Sequence, residues 1–175
     1  MLKKIAIVVA VLVVGVLAFA ATRPDTFHVE RSASIKAPPE KIFAELNDFK
    51  RWNAWSPWEN KDPAMKRTFG TTTSGKGAYY GWEGNKDVGK GSMEISESTP
   101  PSRLVLQLHF MEPFEAHSAA TYVLAPQSGA TKITWSMDGP MPYVSKVISI
   151  FCDMDAMIGK DFEAGLAKLK TVAEK

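Results

Sequence analysis

The distribution of apolar and polar residues separates a short N-terminal segment from a longer, regularly patterned region. Ile5–Ala21 is a run of 17 residues without a charge, with two lysines before it and an arginine soon after. A run of this length is at the lower end of what crosses a bilayer as a helix, and lysines before such a helix favour the cytoplasmic side. We expect residues 1–22 to be a membrane segment, residues 23–26 a linker, and residues 27–175 an exported domain.

A cleavable signal peptide is the alternative interpretation of the same segment. Ala18-Phe19-Ala20 fits an A-x-A cleavage site, and cleavage there would make the protein secreted. We favour an uncleaved anchor because the apolar run is rich in Val, Ile and Leu throughout. The expected location is therefore the cell membrane, with a single span and the domain on the periplasmic or extracellular side.

Patterning from Phe27 onward predicts a strand and two short helices. Phe27–Ala37 alternates well enough for a strand, and the two prolines that follow start a helix. A second short helix contains Trp52 and Trp55, which share a face at a spacing of three, and Ser56-Pro57 ends that helix.

After Pro63 the sequence predicts an antiparallel meander and then one long helix. Short runs rich in Thr, Tyr, Val, Ile and Trp, separated by Gly, Pro and Ser, predict strands near residues 65–70, 77–84, 90–98, 103–111, 115–125 and 130–138. Helical spacing returns from about Tyr143 to Ala173. Since a long amphipathic helix must bury its apolar stripe, we expect an α+β fold in which about seven curved antiparallel strands wrap around the C-terminal helix.

Alternation along the predicted strands identifies an inner face without acid, base or metal ligand. Its side chains are Tyr80, Trp82, Met93, Ile95, Leu104, Leu106, Leu108, Phe110, Tyr122, Leu124, Ile133, Trp135 and Met137. Met154 and Met157 stand on the facing helix near Gly159 and Gly165, and flexible methionines are typical of a ligand cavity. Solid packing, with the glycines allowing close approach, is the alternative that the pattern leaves open.

Charge and cysteine content narrow the classes of partner. Residues 22–175 contain 19 Lys and Arg and 19 Asp and Glu, so a nucleic-acid partner has no electrostatic basis. Cys152 is the single cysteine, so no intramolecular disulfide can form, and its place in an apolar helical stretch predicts a small core residue rather than a nucleophile.

Four stretches carry a resemblance to a known superfamily. They are H-V-E-R-S-x-x-I-x-A-P-P-E-K-I-F from His28, W-x-x-W-S-P-W from Trp52, Y-x-W-x-G-N from Tyr80, and M-D-x-M-I-G-K-D-F-E-x-G-L-x-x-L-K from Met154. From Phe27 to the C-terminus the chain resembles the START-like, or SRPBCC, superfamily with its helix-grip fold, in the branch of polyketide cyclases/dehydrases and lipid transport. This resemblance implies a deep hydrophobic cavity that in different members binds lipids, sterols, quinones or polyketides.

The predicted cavity residues combine the inner sheet face, the tryptophan segment and the start of the long helix. They are Trp52, Trp55, Trp58, Tyr80, Trp82, Leu106, Leu108, Phe110, Tyr122, Trp135, Met154, Met157, Ile158 and Phe162. For the three tryptophans between residues 52 and 58, corner packing is the alternative to ligand contact. No catalytic residue, metal or cofactor is predicted.

Other chemical motifs are weaker. Gly84–Gly91 differs from a phosphate-binding loop at one position, Gly91, where the motif needs Ser or Thr. It leads into a strand rather than a helix, so it predicts a hairpin turn in which Gly84 and Asn85 have unusual backbone angles. A tight hairpin would set His109 opposite His117 with Glu115 nearby, a set that could hold zinc, although a slip of one residue would separate the pair. We expect solvated surface histidines there, and likewise solvated side chains at the four remaining polar candidates, Glu59, Asp62, Glu83 and Asp138.

Three functional classes follow. We expect a binding module for a hydrophobic small molecule, such as a lipid, isoprenoid or polyketide-like compound, held at the membrane by the N-terminal segment. An enzyme of the cyclase or dehydratase type is the alternative, which would need a general acid or base such as Glu83, His109, His117 or a hydroxyl of Tyr80 or Tyr122. A purely structural or partner-binding domain at the membrane is the third class, favoured if the cavity is absent and the tryptophans are exposed as a patch.

Overall fold

A computed structural model describes residues 1–175. It contains four α-helices, two 3-10 helices and seven strands. In chain order these are α1 (Leu2–Ala21), β1 (Thr26–Ile35), α2 (Pro39–Leu46), 3-10 helices at Phe49–Ala54 and Pro57–Asn60, β2 (Lys66–Phe69), β3 (Tyr79–Glu83), β4 (Lys90–Thr99), β5 (Arg103–Glu112), β6 (Ala116–Gln127), β7 (Ala130–Pro140), α3 (Tyr143–Ile148) and α4 (Met154–Ala173).

The seven strands form one antiparallel sheet in the order β1-β7-β6-β5-β4-β3-β2. Strands β2 to β7 pair in sequence, while β1 joins beside β7 with Thr26 opposite Pro140 and Ile35 opposite Thr131. Because β1 and β2 are the two edge strands, the chain between them must cross the width of the sheet. Helix α2 and the 3-10 helices make that crossing, which confirms the predicted α+β helix-grip fold.

Helix α4 lies along β1 and covers the inner face of the sheet. Phe162, Leu166 and Leu169 are among its buried residues, and they join one hydrophobic cluster with the inner-face residues of the strands. At Gly165 α4 closely approaches the sheet, since a Cβ there would lie 2.9 Å from the Trp135 ring. Around Gly165 the helix and sheet therefore pack in direct contact, which is the alternative that the sequence had left open.

The prediction of one helix from Tyr143 to Ala173 is wrong, because the chain forms two helices. Helix α3 ends at Ile148, and α4 begins afresh at Met154, where the Asp153 side chain accepts a hydrogen bond from the Ala156 amide at 3.0 Å. An N-cap of this kind satisfies a free helix-terminal amide and marks a helix start. The intervening turn leaves Cys152 exposed, so the prediction that Cys152 is a core residue is also wrong.

Candidate ligand-binding site

The tryptophan segment is anchored to the end of α2. Trp52 and Trp55 are 4% and 0% exposed. The indole N–H of Trp52 donates to the Leu46 carbonyl at 2.9 Å, and that of Trp55 donates to the Glu45 carbonyl at 3.2 Å. These bonds satisfy both buried donors and fix the first 3-10 helix against α2. The two rings therefore point into the interior between the sheet and α4.

Aromatic rings fill the interior at the level of Trp55. Trp135 stacks on Phe162 of α4 with a centroid distance of 4.0 Å and an interplanar angle of 9°. Trp55 meets Trp135 edge to face at 6.0 Å and Tyr122 edge to face at 6.3 Å. Such offset and edge-to-face pairs are favourable beyond the burial of their area. We call Trp52, Trp55, Tyr122, Trp135 and Phe162 the aromatic cluster.

Two polar atoms within the aromatic cluster have no partner. The Tyr122 hydroxyl and the Trp135 indole N–H are buried, and neither makes a hydrogen bond within the protein. Burial raises the pKa of the Tyr122 hydroxyl well above its usual range, so the group stays neutral and keeps its proton to donate. A buried donor without a partner costs about 1–3 kcal/mol. The cluster thus has two hydrogen-bond donors that the protein itself does not use.

A second set of apolar residues is only half-buried. Most lie at the sheet end where β1 begins, and Trp58 and Ile158 face them from the second 3-10 helix and α4. We call this set the rim: Phe27, Trp58, Trp82, Val88, Leu108, Phe110 and Ile158. At the outermost level the Trp82 ring lies over Gly91 and 5.9 Å from the Phe110 ring, edge to face. The inner face is thus closed at the aromatic cluster and partly exposed at the rim.

Glu59 is not a solvated surface carboxylate, which corrects the prediction from its sequence. Its side chain is 8% exposed and accepts hydrogen bonds from the Tyr80 hydroxyl at 2.7 Å and from Arg67 Nε at 2.8 Å. Burial, and then the hydrogen bond to Glu59, raise the pKa of Tyr80 well above its usual range. Since the partners lie 8 and 21 residues away in sequence, no local pattern could have revealed the group.

Arg31 is a second charged group that sequence reasoning missed, although alternation along β1 places it on the inner face with Phe27. Its guanidinium lies against Gly159 and bonds to Asp155 and Glu163 of α4, at 2.8 Å each. The hydrogen bond from Arg31 lowers the pKa of Asp155. The prediction of an inner face without acid or base is therefore wrong at β1, where Arg31 ties the first half of α4 to the sheet.

His109 and His117 pair across β5 and β6 in the register that a slip of one residue would have broken. His109 lies directly opposite His117, with their rings stacked at 4.2 Å, and His109 Nε2 is 3.3 Å from Glu115 Oε1. The potential ligand atoms of these three residues all lie within 4.8 Å of one another, so they are the residues that could hold a metal ion. They stand on the outer face of the sheet, away from the aromatic cluster and the rim.

The predicted hairpin turn at Gly84–Gly91 is present and leads into β4. Its unusual backbone angle is at Gly89, with φ of 64°, and not at Gly84 or Asn85 as predicted. A Cβ at Gly89 would also lie 2.3 Å from the Glu112 carbonyl oxygen, so glycine is required there for two reasons.

The predicted cavity residues separate into three groups by exposure. The buried group is Trp52, Trp55, Tyr80, Leu106, Tyr122, Trp135 and Phe162, and the half-buried group is Trp58, Trp82, Leu108, Phe110, Met154 and Ile158. Met157 is 62% exposed, because it faces away from the sheet on α4. Phe27 and Val88 belong to the rim but were not predicted, although Phe27 lies at an inward position of β1 and alternation could have identified it.

An antiparallel sheet that grips a helix around an apolar interior defines a helix-grip protein of the SRPBCC, or START-like, class. The chain belongs to the polyketide cyclase/dehydrase and lipid transport family, whose sequence profile matches residues 26–174. No curated protein matches the sequence.

Solved structures with the same fold have low sequence identity to this chain. Protein CV1439 from Chromobacterium violaceum is 16% identical with a TM-score of 0.61, covering 87% of this chain and 99% of its own. The Aha1 dimer from Colwellia psychrerythraea is 16% identical with a TM-score of 0.61, covering 85% and 96%. DynU16, encoded in the dynemicin biosynthetic locus, is 17% identical with a TM-score of 0.60, covering 87% of this chain and 48% of its own. At these identities the similarity concerns the fold.

Proposed function

We propose that this protein is tethered to the membrane and binds a hydrophobic small molecule, such as a lipid, isoprenoid or polyketide-like compound, between the sheet and α4. The observation that carries the proposal is the pairing of a half-buried apolar rim with an interior that has two unused donors. The family to which the chain belongs includes lipid transport proteins, which agrees with this assignment.

The rim is the expected entry point for the ligand. Phe110, Trp82 and Ile158 present apolar surface that solvent reaches, while the residues next to them toward the aromatic cluster are buried. Covering half-exposed apolar side chains with an apolar ligand contributes about 25 cal/mol per Å² of surface removed from water. A ligand that enters at the rim is thus stabilised before it displaces any ring of the aromatic cluster.

The unused donors indicate what the buried end of the ligand must offer. The Tyr122 hydroxyl and the Trp135 indole N–H both donate, so they favour a carbonyl, hydroxyl or ether oxygen at the end of an apolar body. Reaching them requires a shift of the aromatic rings that separate them from the rim. We expect the preferred ligand to be amphiphilic with a single weakly polar group rather than a pure hydrocarbon.

The proposed tether is α1, which is long and apolar enough to cross a membrane. It ends at Ala21 and β1 begins at Thr26, so the helix joins the domain at the sheet end that carries the rim. In this arrangement the rim opens toward the bilayer, which is a source of apolar ligands. An uncleaved α1 is part of the proposal, and cleavage after Ala20 would leave a secreted domain.

An enzyme of the cyclase or dehydratase type is less well supported. Both carboxylate oxygens of Glu59 are engaged by Tyr80 and Arg67, so this group is not free to act as a base. His109 and His117 are on the outer face, and the Tyr122 hydroxyl holds its proton far above neutral pH. General acid or base catalysis needs a group within hydrogen-bond reach whose pKa is near the working pH.

The test is direct extraction of ligand from purified protein. The full chain is purified in a mild detergent, extracted with organic solvent, and the extract is compared by mass spectrometry with that from a Phe110→Asp variant prepared in parallel. We expect one class of apolar compound to be enriched with the unaltered chain and depleted with the variant. Equal extracts from the two proteins would contradict the proposal.

A further inference from the structure

The segment between β7 and α4 carries apolar side chains that the rest of the protein leaves exposed. Val144 is 69% exposed, Ile148 45% and Phe151 72%. Over residues 143–152 the sequence contains one charged residue, Lys146, and no acid. Contiguous exposed apolar surface of this kind marks a site of contact with another molecule or with a membrane.

The single charge of the segment is turned away from this surface. Lys146 is 7% exposed, and its ammonium group pairs with Asp25 in the linker between α1 and β1. The Ser149 hydroxyl donates to the Lys146 carbonyl at 2.8 Å, which satisfies a carbonyl near the end of α3. The outward surface of the segment therefore consists of aliphatic and aromatic side chains.

Contacts between α3 and α1 fix the level of the segment relative to the proposed tether. The Tyr143 hydroxyl donates to the Leu17 carbonyl at 2.7 Å, and α3 packs beside the end of α1. Leu17 is four residues before the end of α1, which corresponds to about 6 Å at 1.5 Å per residue. An amphipathic segment buries its apolar face about 5–10 Å into the boundary between head groups and acyl chains. With α1 upright and its last residue at the head groups, α3 would lie within this range.

Tyr143, which makes the contact with α1, is also a residue type that is common at the membrane interface. Tyrosine is enriched at membrane interfaces, where its ring lies among the head groups and its hydroxyl finds a polar partner. At the same end of the sheet, the β5–β6 turn carries Phe114, which is 76% exposed. A bilayer around α1 would cover these surfaces together, since they belong to the end of the domain from which α1 leaves.

We infer that residues 143–152 are a membrane-docking segment, which inserts Val144, Ile148 and Phe151 into the outer leaflet beside α1 and holds the rim against the bilayer. The inference rests on the proposed tethering by α1. The occupant of the surface is the lipid bilayer itself.

The chain supplies its own reporter for this contact. Cys152 is the single cysteine, and it is exposed at the end of the segment, so an environment-sensitive fluorophore can be attached there without any substitution. The labelled full chain is reconstituted into phosphatidylcholine and phosphatidylglycerol vesicles, with or without lipid that carries a nitroxide near the glycerol end of its acyl chain. A matched control carries Cys152→Ala and Ser128→Cys, which moves the fluorophore to the exposed β6–β7 turn at the opposite end of the sheet.

We expect the fluorophore at Cys152 to show blue-shifted emission and quenching by the nitroxide lipid, both absent from the control. Phe151→Asp should reduce the quenching without changing the melting temperature, since Phe151 is exposed.

Flotation of the vesicles is measured in parallel. If the protein floats with the vesicles but Cys152 is not quenched, the docking inference is wrong while the tether stands. A blue shift that is lost on dilution, without quenching, would show that a second copy covers the segment and would overturn the inference. Failure to float would contradict the tether itself and the docking with it.

Discussion

The aromatic cluster and the rim share one sheet face, yet they differ in how they are covered. At the aromatic cluster, Trp55 and Phe162 both contact the Trp135 ring, and together they cover the face. At the rim, Trp82 and Phe110 contact each other but remain half-exposed. The same apolar alternation along a strand therefore stabilises the fold at one end and leaves a surface for binding at the other.

The largest effect is expected where α4 meets the aromatic cluster. Phe162→Ala removes the ring that stacks on Trp135, and because the site is fully packed the cost should be about 3–5 kcal/mol of unfolding free energy. Met157→Ala on the exposed side of the same helix is the matched control, and it should change stability by less than about 0.5 kcal/mol. Urea denaturation of both variants measures the difference, and equal losses would show that the cluster is not the core of the fold.

A smaller loss of stability is expected from Trp55→Phe. The substitution keeps most of the apolar bulk but removes the N–H bonded to the Glu45 carbonyl, so we expect a loss of about 1–3 kcal/mol. Because Trp55 is fully buried and anchored, affinity for a fluorescent fatty-acid probe should stay within about twofold. A loss of affinity with unchanged melting temperature would instead identify Trp55 as a ligand contact.

Tyr122→Phe should have opposite effects on stability and binding. Removing a buried hydroxyl that has no partner should leave stability unchanged or raise it by about 1 kcal/mol. The same change should weaken binding of a ligand that bears a carbonyl or hydroxyl, while a hydrocarbon probe should bind the variant and the unaltered chain equally. Calorimetric titration with a matched pair of ligands, with and without the oxygen, measures this difference, and equal effects on both ligands would contradict the assigned role of the donors.

Alkaline pH should destabilise the interior. Burial raises the pKa of both Tyr80 and Tyr122 in the folded state, so the folded state favours their protonated forms more than the unfolded state does. For such groups the contribution to stability is complete below the unfolded pKa of about 10 and decreases as pH rises above it. The melting temperature should thus fall above about pH 10, less steeply in a Tyr80→Phe/Tyr122→Phe variant. An identical fall in both proteins would assign the effect to other groups.

The sequence predicted most of the fold because alternation and turn residues are local signals. The seven strands, their order of pairing from β2 to β7 and the inner face from Tyr80 to Met137 all follow from period-two alternation between Gly- and Pro-containing turns. The position of α4 follows from its apolar stripe, which must be buried against one face of the sheet. The break between α3 and α4 was missed because Asp153 is one capping residue within an otherwise helical pattern.

The candidate site was predicted less completely, because its character depends on contacts between distant residues. Glu59 is hydrogen-bonded by Tyr80 and Arg67, and the inward position of Arg31 on β1 is matched by Asp155 and Glu163 of α4. Hydrophobic spacing also could not separate Trp55, which is enclosed, from Trp58, which is half-buried. The burial of each tryptophan depends on where the 3-10 helices meet α4, and that is a property of the assembled fold.

We propose that the apolar body of the ligand binds at the rim, and two neighbouring substitutions on α4 separate this role from that of the exposed helix surface. Ile158 belongs to the rim, whereas Met157 is 62% exposed on the other side of the helix. Affinity for the fluorescent fatty-acid probe is measured for Ile158→Ser and Met157→Ser, with melting temperature recorded for each. We expect Ile158→Ser to weaken binding about tenfold, equivalent to about 1.4 kcal/mol, and Met157→Ser to change it by less than about twofold. Equal affinities for the two variants would show that the ligand does not bind at the rim.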